Sequence, residues 1–219
     1  MLYNVCLFDL DGTLTDSKEG IINSFRYALA RYGIKPPADG LDRFIGPALR
    51  DSFRDFFGFT DERAEEAVAV YREYYSTRGM YENKLYPGVA DMLKDLKESG
   101  AVLSLATSKT AVYAGMILKH FDICDYFDFV AGSEFDGTRS GKKELIIYAL
   151  ENLHKKSRKN FPAVMIGDRE YDIAGAKQAG IKSIGAAYGY GARDELTQAG
   201  ADHIADSPEE IYGIIRGGN

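Results

Sequence analysis

The period of the apolar positions changes repeatedly along the chain, and the changes predict its elements. Residues 3–10, YNVCLFDL, form a nearly continuous apolar run, the pattern of a strand buried on both faces of a parallel sheet. Ile21, Ile22, Phe25, Ala28 and Leu29 then fall at helical spacing between Ser17, a candidate N-cap, and Gly33. That spacing predicts a helix over 17–32. Pro36-Pro37 sits in a connection over 34–40. Between Leu41 and Gly79 the patterns are helical only. Leu49, Phe53, Phe56 and Phe57 mark one helix, and Ala64, Ala67, Val68 and Tyr71 mark another over about 61–75. Tyr86-Pro87-Gly88 ends this stretch.

After that break, helices over 88–99, 110–120, 142–153, 171–179 and 193–199 alternate with strands. The strands are AVLSLAT at 101–107, FDFVAG at 127–132, AVMIG at 163–167 and KSIGAA at 182–187. A short strand near His203-Ile204 and a helix from Pro208 complete the series. Such alternation predicts a parallel sheet covered by helices on both faces. The expected class is therefore α/β: a doubly wound, Rossmann-like core over 1–15 and 83–219, with a helical cap inserted over 16–82. In such sheets ligands gather beyond the carboxyl ends of the strands. Those ends carry Asp9-Leu10-Asp11, Thr107-Ser108-Lys109, Ser133-Glu134 and Gly167-Asp168.

Composition narrows the partners. The 219 residues are enough for one large domain, or for a core and a smaller insert. There are 33 acidic against 27 basic residues, a net charge of −6, and no basic run to neutralise phosphates. This argues against nucleic acid but not against a small anion, which needs only a locally positive pocket. Cys6 and Cys124 give neither a disulfide framework nor zinc spacing, and His120, His154 and His203 are scattered. No signal-peptide pattern opens the chain, and no apolar stretch approaches the ~18 residues of a membrane span. A cytoplasmic monomer or homodimer without a membrane partner is expected.

Two clusters of acids carry candidate chemistry. Asp9 and Asp11 follow a buried strand two residues apart, an expensive placement unless a cation sits between them. The plain alternative is a solvated Asp-Gly turn. An EF-hand loop is excluded, because Gly12 follows Asp11 directly. Asp168 and Asp172, in GDREYD, share a helix face four residues apart, although an acidic helix start explains one of them. DGTRSGKK, residues 136–143, imitates a P-loop, but only three residues separate Gly137 from Gly141-Lys142 and Lys143 replaces the required Ser or Thr. GYGARD, 189–194, lacks the third glycine of a dinucleotide fingerprint.

Taken in order, FDLDGTLTDS, LATSK, a lysine ahead of a helix, and GDREYD resemble the haloacid-dehalogenase-like hydrolase superfamily over essentially the whole chain. FIGPALRDSF, YPGV and YGYGARDEL resemble its phosphoglycolate-phosphatase-like and 5′-nucleotidase-like branch. The resemblance implies that Asp9 is a nucleophile forming an aspartyl-phosphate, and that Asp11 serves as acid and then base. It implies phosphate binding by Gly12, Thr107, Ser108 and Lys142. It also implies Mg²⁺ held by Asp9, Asp168 and the backbone carbonyl of Asp11, with Asp172 behind them. Lys142 aligns best with the family lysine, but Lys143 is adjacent and the usual Lys-Pro pair is absent. Ser17, Phe44, Ile45, Pro47 and Arg50 are the positions implied to choose the substrate. Dehalogenases of this fold lack an acid at the Asp11 position and use no magnesium, so Asp11 points to phosphoryl chemistry. A carboxylate attacking a phosphate anion needs its repulsion cancelled, and magnesium with a lysine does that. The expected function is a magnesium-dependent phosphomonoesterase acting on a small phosphorylated metabolite, phosphoglycolate or a nucleoside 5′-monophosphate. The alternatives are a phosphosugar mutase of the same fold and a catalytically silent binding or regulatory protein.

Overall fold

The computed structural model describes residues 1–37, 40–41, 44–46, 49–157 and 162–218. The chain begins with β1 (Val5–Phe8) and β2 (Thr15–Asp16), then forms α1 (Lys18–Arg31), α2 (Leu49–Phe57) and α3 (Asp61–Tyr75). It continues through β3 (Lys84–Leu85), α4 (Val89–Glu98), β4 (Val102–Thr110), α5 (Ala111–His120) and β5 (Phe129–Ser133). The last part comprises α6 (Lys142–Ser157), β6 (Ala163–Gly167), α7 (Glu170–Ala179), β7 (Lys182–Ala186), α8 (Arg193–Ala199), β8 (His203–Ala205) and α9 (Pro208–Arg216). Two compact units result, one of Met1–Asp16 with Leu85–Asn219 and one of Ser17–Lys84. Among the described residues no helix is long and apolar enough to cross a membrane.

The first unit holds a six-stranded parallel sheet in the order β5-β4-β1-β6-β7-β8. β1 is central because it can be buried on both sides: Val5, Cys6, Leu7 and Phe8 are all sealed from solvent. Val5 and Leu7 face one way, into a cluster with Met165 of β6, Leu145, Ile146 and Ala149 of α6, and Ala176 of α7. Cys6 and Phe8 face the other way. From β1 the chain winds outward through β4 to β5, then returns to the far side of β1 and winds outward again through β6, β7 and β8. The reversal at β1 is the place where such sheets open a crevice at their carboxyl edge.

Of the run over 3–10 only Val5–Phe8 is strand, the short pair β2 and β3 is not foreseen by the pattern, and three further elements differ from it at their ends. β4 runs on to Thr110 instead of stopping at Thr107, because pairing with β5 resumes at Thr110↔Ser133 after a bulge. β5 begins at Phe129, since the Asp128 carboxylate, not a further ladder partner, accepts the Leu103 N–H at 2.9 Å. α6 extends to Ser157 rather than 153.

The second unit is a helical packing around Phe25. Its ring centroid lies 5.4 Å from Phe44, 5.3 Å from Phe53 and 5.1 Å from Tyr71, so α1, α2, α3 and the 44–46 segment share one aromatic centre. α3 starts where Thr60 Oγ1 accepts the Arg63 N–H at 3.3 Å. Gly20 lets α1 pass against the turn at Gly79, where a Cβ would meet the Gly79 carbonyl oxygen at 1.8 Å. Phe25→Ala is expected to destabilise this unit by about 3–5 kcal/mol, the range for a large aromatic removed from a core. Guanidinium unfolding followed by circular dichroism checks it, and an unshifted transition refutes the packing.

Candidate active site

Asp9 follows β1, and its amide still bonds the Ile166 carbonyl of β6 at 2.9 Å. Its Oδ1 accepts the Leu10 N–H at 2.7 Å, and its Oδ2 lies 2.5 Å from Lys142 Nζ. The chain then turns tightly: the Leu14 and Thr15 amides donate to the Leu10 carbonyl, and the Gly12 amide donates to the Thr15 carbonyl at 2.8 Å. Gly12 has φ +83°, and a Cβ there would lie 2.1 Å from Asp168 Oδ2. Both facts demand glycine.

Lys142, the first residue of α6, projects its ammonium into this turn. It also lies 2.7 Å from Asp172 Oδ1 and donates to the Ala106 carbonyl at 3.2 Å. Lys143 is exposed. Asp172 Oδ2 accepts the Arg169 N–H at 3.1 Å, which secures it in the first turn of α7. Asp168 accepts the Thr13 hydroxyl on Oδ1 at 3.0 Å and the Tyr190 N–H on Oδ2 at 2.9 Å. Gly167 makes room for Asp172, whose Cγ would be 2.1 Å from a Cβ at that position.

Carboxylate oxygens of Asp9, Asp168 and Asp172 lie within 4.8 Å of one another. Burial first, then the charges of Asp172 and Asp9, pushes the Asp168 carboxyl up to about 8. Burial likewise pushes Asp172 up to about 6, against the pull of Lys142. Burial would lower the Lys142 ammonium, but Asp172 and Asp9 outweigh it and hold it above the usual lysine range. One lysine therefore faces more negative charge than it neutralises. Hard, buried carboxylate oxygens with surplus charge are a donor set that fits a divalent cation. Asp11 adds an open acceptor: its Oδ1 is buried without a hydrogen-bond partner among the described residues.

The other Asp11 oxygen is held by a residue to which the motifs assigned no role. Lys109 Nζ lies 2.8 Å from Asp11 Oδ2, with both side chains largely buried. The β4 bulge explains this reach, since Ser108 and Lys109 sit between the ladder pairs Thr107↔Gly132 and Thr110↔Ser133. The signal in the sequence was the run Thr107-Ser108-Lys109 at a strand end. Thr107 is buried beside the site, its Oγ1 accepting the Lys109 N–H at 3.3 Å. The Ser108 hydroxyl donates to the Ser140 carbonyl at 3.2 Å.

The expected specificity residues belong to the second unit. Ser17 is buried at the N-cap position of α1 without a side-chain cap bond. Phe44 and Ile45 are buried, and the Phe44 ring packs on Phe25, Phe56 and Phe57. Arg50 pairs with Asp61 and Glu65 at 3.3 Å each on an exposed surface. Pro47 lies outside the described residues.

The model of the family described as haloacid dehalogenase-like hydrolase matches residues 6–186. A 5′-nucleotidase of Pseudomonas aeruginosa is 45% identical over 195 residues, 89% of this chain and 87% of that protein. The tyrosine-protein kinase PtkA of Mycobacterium tuberculosis is 40% identical over 189 residues, 86% of this chain but 63% of that protein. The crystal structure of a predicted phosphatase from Clostridium acetobutylicum superposes with a TM-score of 0.91 at 45% identity, covering 99% of this chain and 100% of that one. The chain belongs to the haloacid dehalogenase-like hydrolases, and it is a phosphoric monoester hydrolase of that family.

The raised Asp168 carboxyl has a consequence for the metal-free protein. Its folded value, about 8, exceeds the ordinary 3.8, so the folded state holds the proton more tightly than the unfolded chain. Its contribution to stability is full below the unfolded value and is lost as pH rises through the folded one. Asp168→Asn keeps the shape and removes the charge, and its amide suits both Tyr190 N–H and a rotated Thr13 hydroxyl. In chelator-treated protein, the variant is expected to gain thermal stability over the wild type as pH rises from about 4 to 8. Scanning calorimetry across that range checks it, and a pH-independent difference contradicts it.

Proposed function

We propose that the chain is a magnesium-dependent phosphomonoesterase that works through an aspartyl-phosphate on Asp9 and takes nucleoside 5′-monophosphates as its substrate class. The observation that carries this reading is the meeting of Asp9, Asp168 and Asp172 oxygens within 4.8 Å beside the Lys142 ammonium. Asp9 and Asp168 would hold the cation with the Asp11 carbonyl, and Asp172 would support them. Bound there, magnesium would offset the charge of the phosphoryl group.

The chain's own residues supply the rest. Asp9 attacks phosphorus, a new P–O bond forms to its carboxylate, and the bond to the leaving oxygen breaks. Asp11 gives that oxygen its proton. It then takes a proton from the water that attacks the phosphorus, which frees inorganic phosphate and restores Asp9. Lys109 steers this residue by gripping Oδ2 and leaving Oδ1 uncommitted. Lys142, already beside Asp9, pairs with phosphoryl oxygens, and Thr107 with the Gly12 turn adds donors.

Nucleoside 5′-monophosphates are favoured over phosphoglycolate by the 45% identical relative named a 5′-nucleotidase. A silent binding protein is disfavoured because all four acids and the lysine are present, with Asp9, Asp168 and Asp172 gathered at Lys142 and Asp11 paired with Lys109. Phosphate release is measured for a nucleotide panel, phosphoglycolate and p-nitrophenyl phosphate. Turnover is expected with Mg²⁺, to vanish with EDTA, and to fall at least about a thousandfold in Asp9→Asn. Persistent turnover in Asp9→Asn sinks the covalent route, and preference for phosphoglycolate sinks the nucleotide assignment.

A further inference from the structure

The segment after β7, residues 187–191, reads as Ala-Tyr-Gly-Tyr-Gly. It approaches Asp168 more closely than side chains at every position would permit. A Cβ at Gly189 would lie 2.2 Å from the Gly12 carbonyl oxygen and 2.3 Å from Asp168 Cβ. A Cβ at Gly191 would lie 2.0 Å from the Asp168 carbonyl oxygen. The glycines of the alternation thus admit the strap, and the tyrosines fasten it. Tyr190 donates its amide to Asp168 Oδ2 at 2.9 Å and its hydroxyl to Asp16 Oδ1 at 3.1 Å. The Tyr188 hydroxyl donates to the Thr13 carbonyl at 2.8 Å, and the Thr13 hydroxyl donates to Asp168 Oδ1 at 3.0 Å. Tyr86 meets the Tyr188 ring edge-on at 5.1 Å, and its amide bonds the Leu14 carbonyl at 3.1 Å.

Both oxygens of Asp168 are therefore aimed by the strap, one directly through the Tyr190 amide and one through Thr13. A carboxylate that can rotate loses part of its cation affinity to the cost of being ordered. Burial, then Asp168 and Tyr86, raises the Tyr188 phenol, so it remains a protonated donor across the working range. The plain alternative is ring packing alone, to which the hydroxyl would add nothing.

We propose that Tyr188 is a positioning residue for the divalent-cation site, fixing the Asp168 carboxylate through the Thr13 turn. The inference rests on the reading that Asp168 is a cation ligand. Mn²⁺ is titrated into the metal-free full chain, and the free-ion signal is followed by electron paramagnetic resonance. Tyr188→Phe keeps the ring and is expected to weaken Mn²⁺ binding about tenfold, the scale of partners that orient a ligand. Its substrate KM at saturating cation is expected to stay unchanged while half-saturating Mg²⁺ rises. An unchanged Mn²⁺ affinity in Tyr188→Phe overturns the proposal, as does a weakened affinity with KM raised in proportion. Asp168→Asn is the separate arm: wild-type affinity in that variant overturns the cation-ligand reading itself, whatever Tyr188→Phe shows.

Discussion

The structure of the first unit is organised around one electrostatic difficulty: Asp9, Asp168 and Asp172 are packed within reach of one another, away from water. Bringing carboxylates together at low dielectric is costly unless each is bonded and paired. Each has fixed partners. Asp9 has the Leu10 amide, Asp172 the Arg169 amide, and Asp168 the Thr13 hydroxyl and the Tyr190 amide. Lys142 stands between the first two. The helix packing serves the same end, since a Cβ at Gly175 of α7 would meet Lys142 Cβ at 2.6 Å. A bulkier residue there would force α6 and its lysine away from the acids.

Much of this fold was legible because it is periodic. β6 and α8 coincide with the strand over 163–167 and the helix over 193–199 expected from apolar spacing. The errors share a cause. The β4 bulge and the late start of β5 depend on the partner strand and on the Asp128 side chain, neither of which leaves a trace in local periodicity. An apolar run shows where a strand is comfortable, whereas its end is set by what it pairs with.

The site divides along a similar line. Asp9, Asp11, Asp168 and Asp172 stand at strand ends or a helix start, so their proximity follows from strand order. Lys142 also stands at a helix start, but only the family likeness gives it a role there. Lys109 and the strap after β7 escaped because their roles arise from a bulge and from contacts across more than a hundred residues of chain. GYGARD lacks the third glycine of a dinucleotide fingerprint. Its glycines are spaced for the backbone and side chain of Asp168. Phe44 and Ile45 lie in the interior of their unit, as apolar residues in a helical insert ordinarily do.

A carboxyl whose proton is held as tightly as that of Asp168 is under strain as an anion, and strain of this sort persists only where the surroundings over-determine the geometry. The turn at Gly12, the Thr13 hydroxyl, the strap glycines and the Tyr188 phenol supply that over-determination from two separate stretches of chain. If these partners served stability alone, an apolar residue at position 168 would satisfy the packing at lower electrostatic cost. Retaining a carboxyl there, and aiming both of its oxygens, fits the proposal of a group that ionises in a set orientation when a cation and a phosphate ester arrive. In the metal-free fold the Asp168 carboxyl therefore keeps its proton up to about 8, and under the proposed function a bound cation is what would release it.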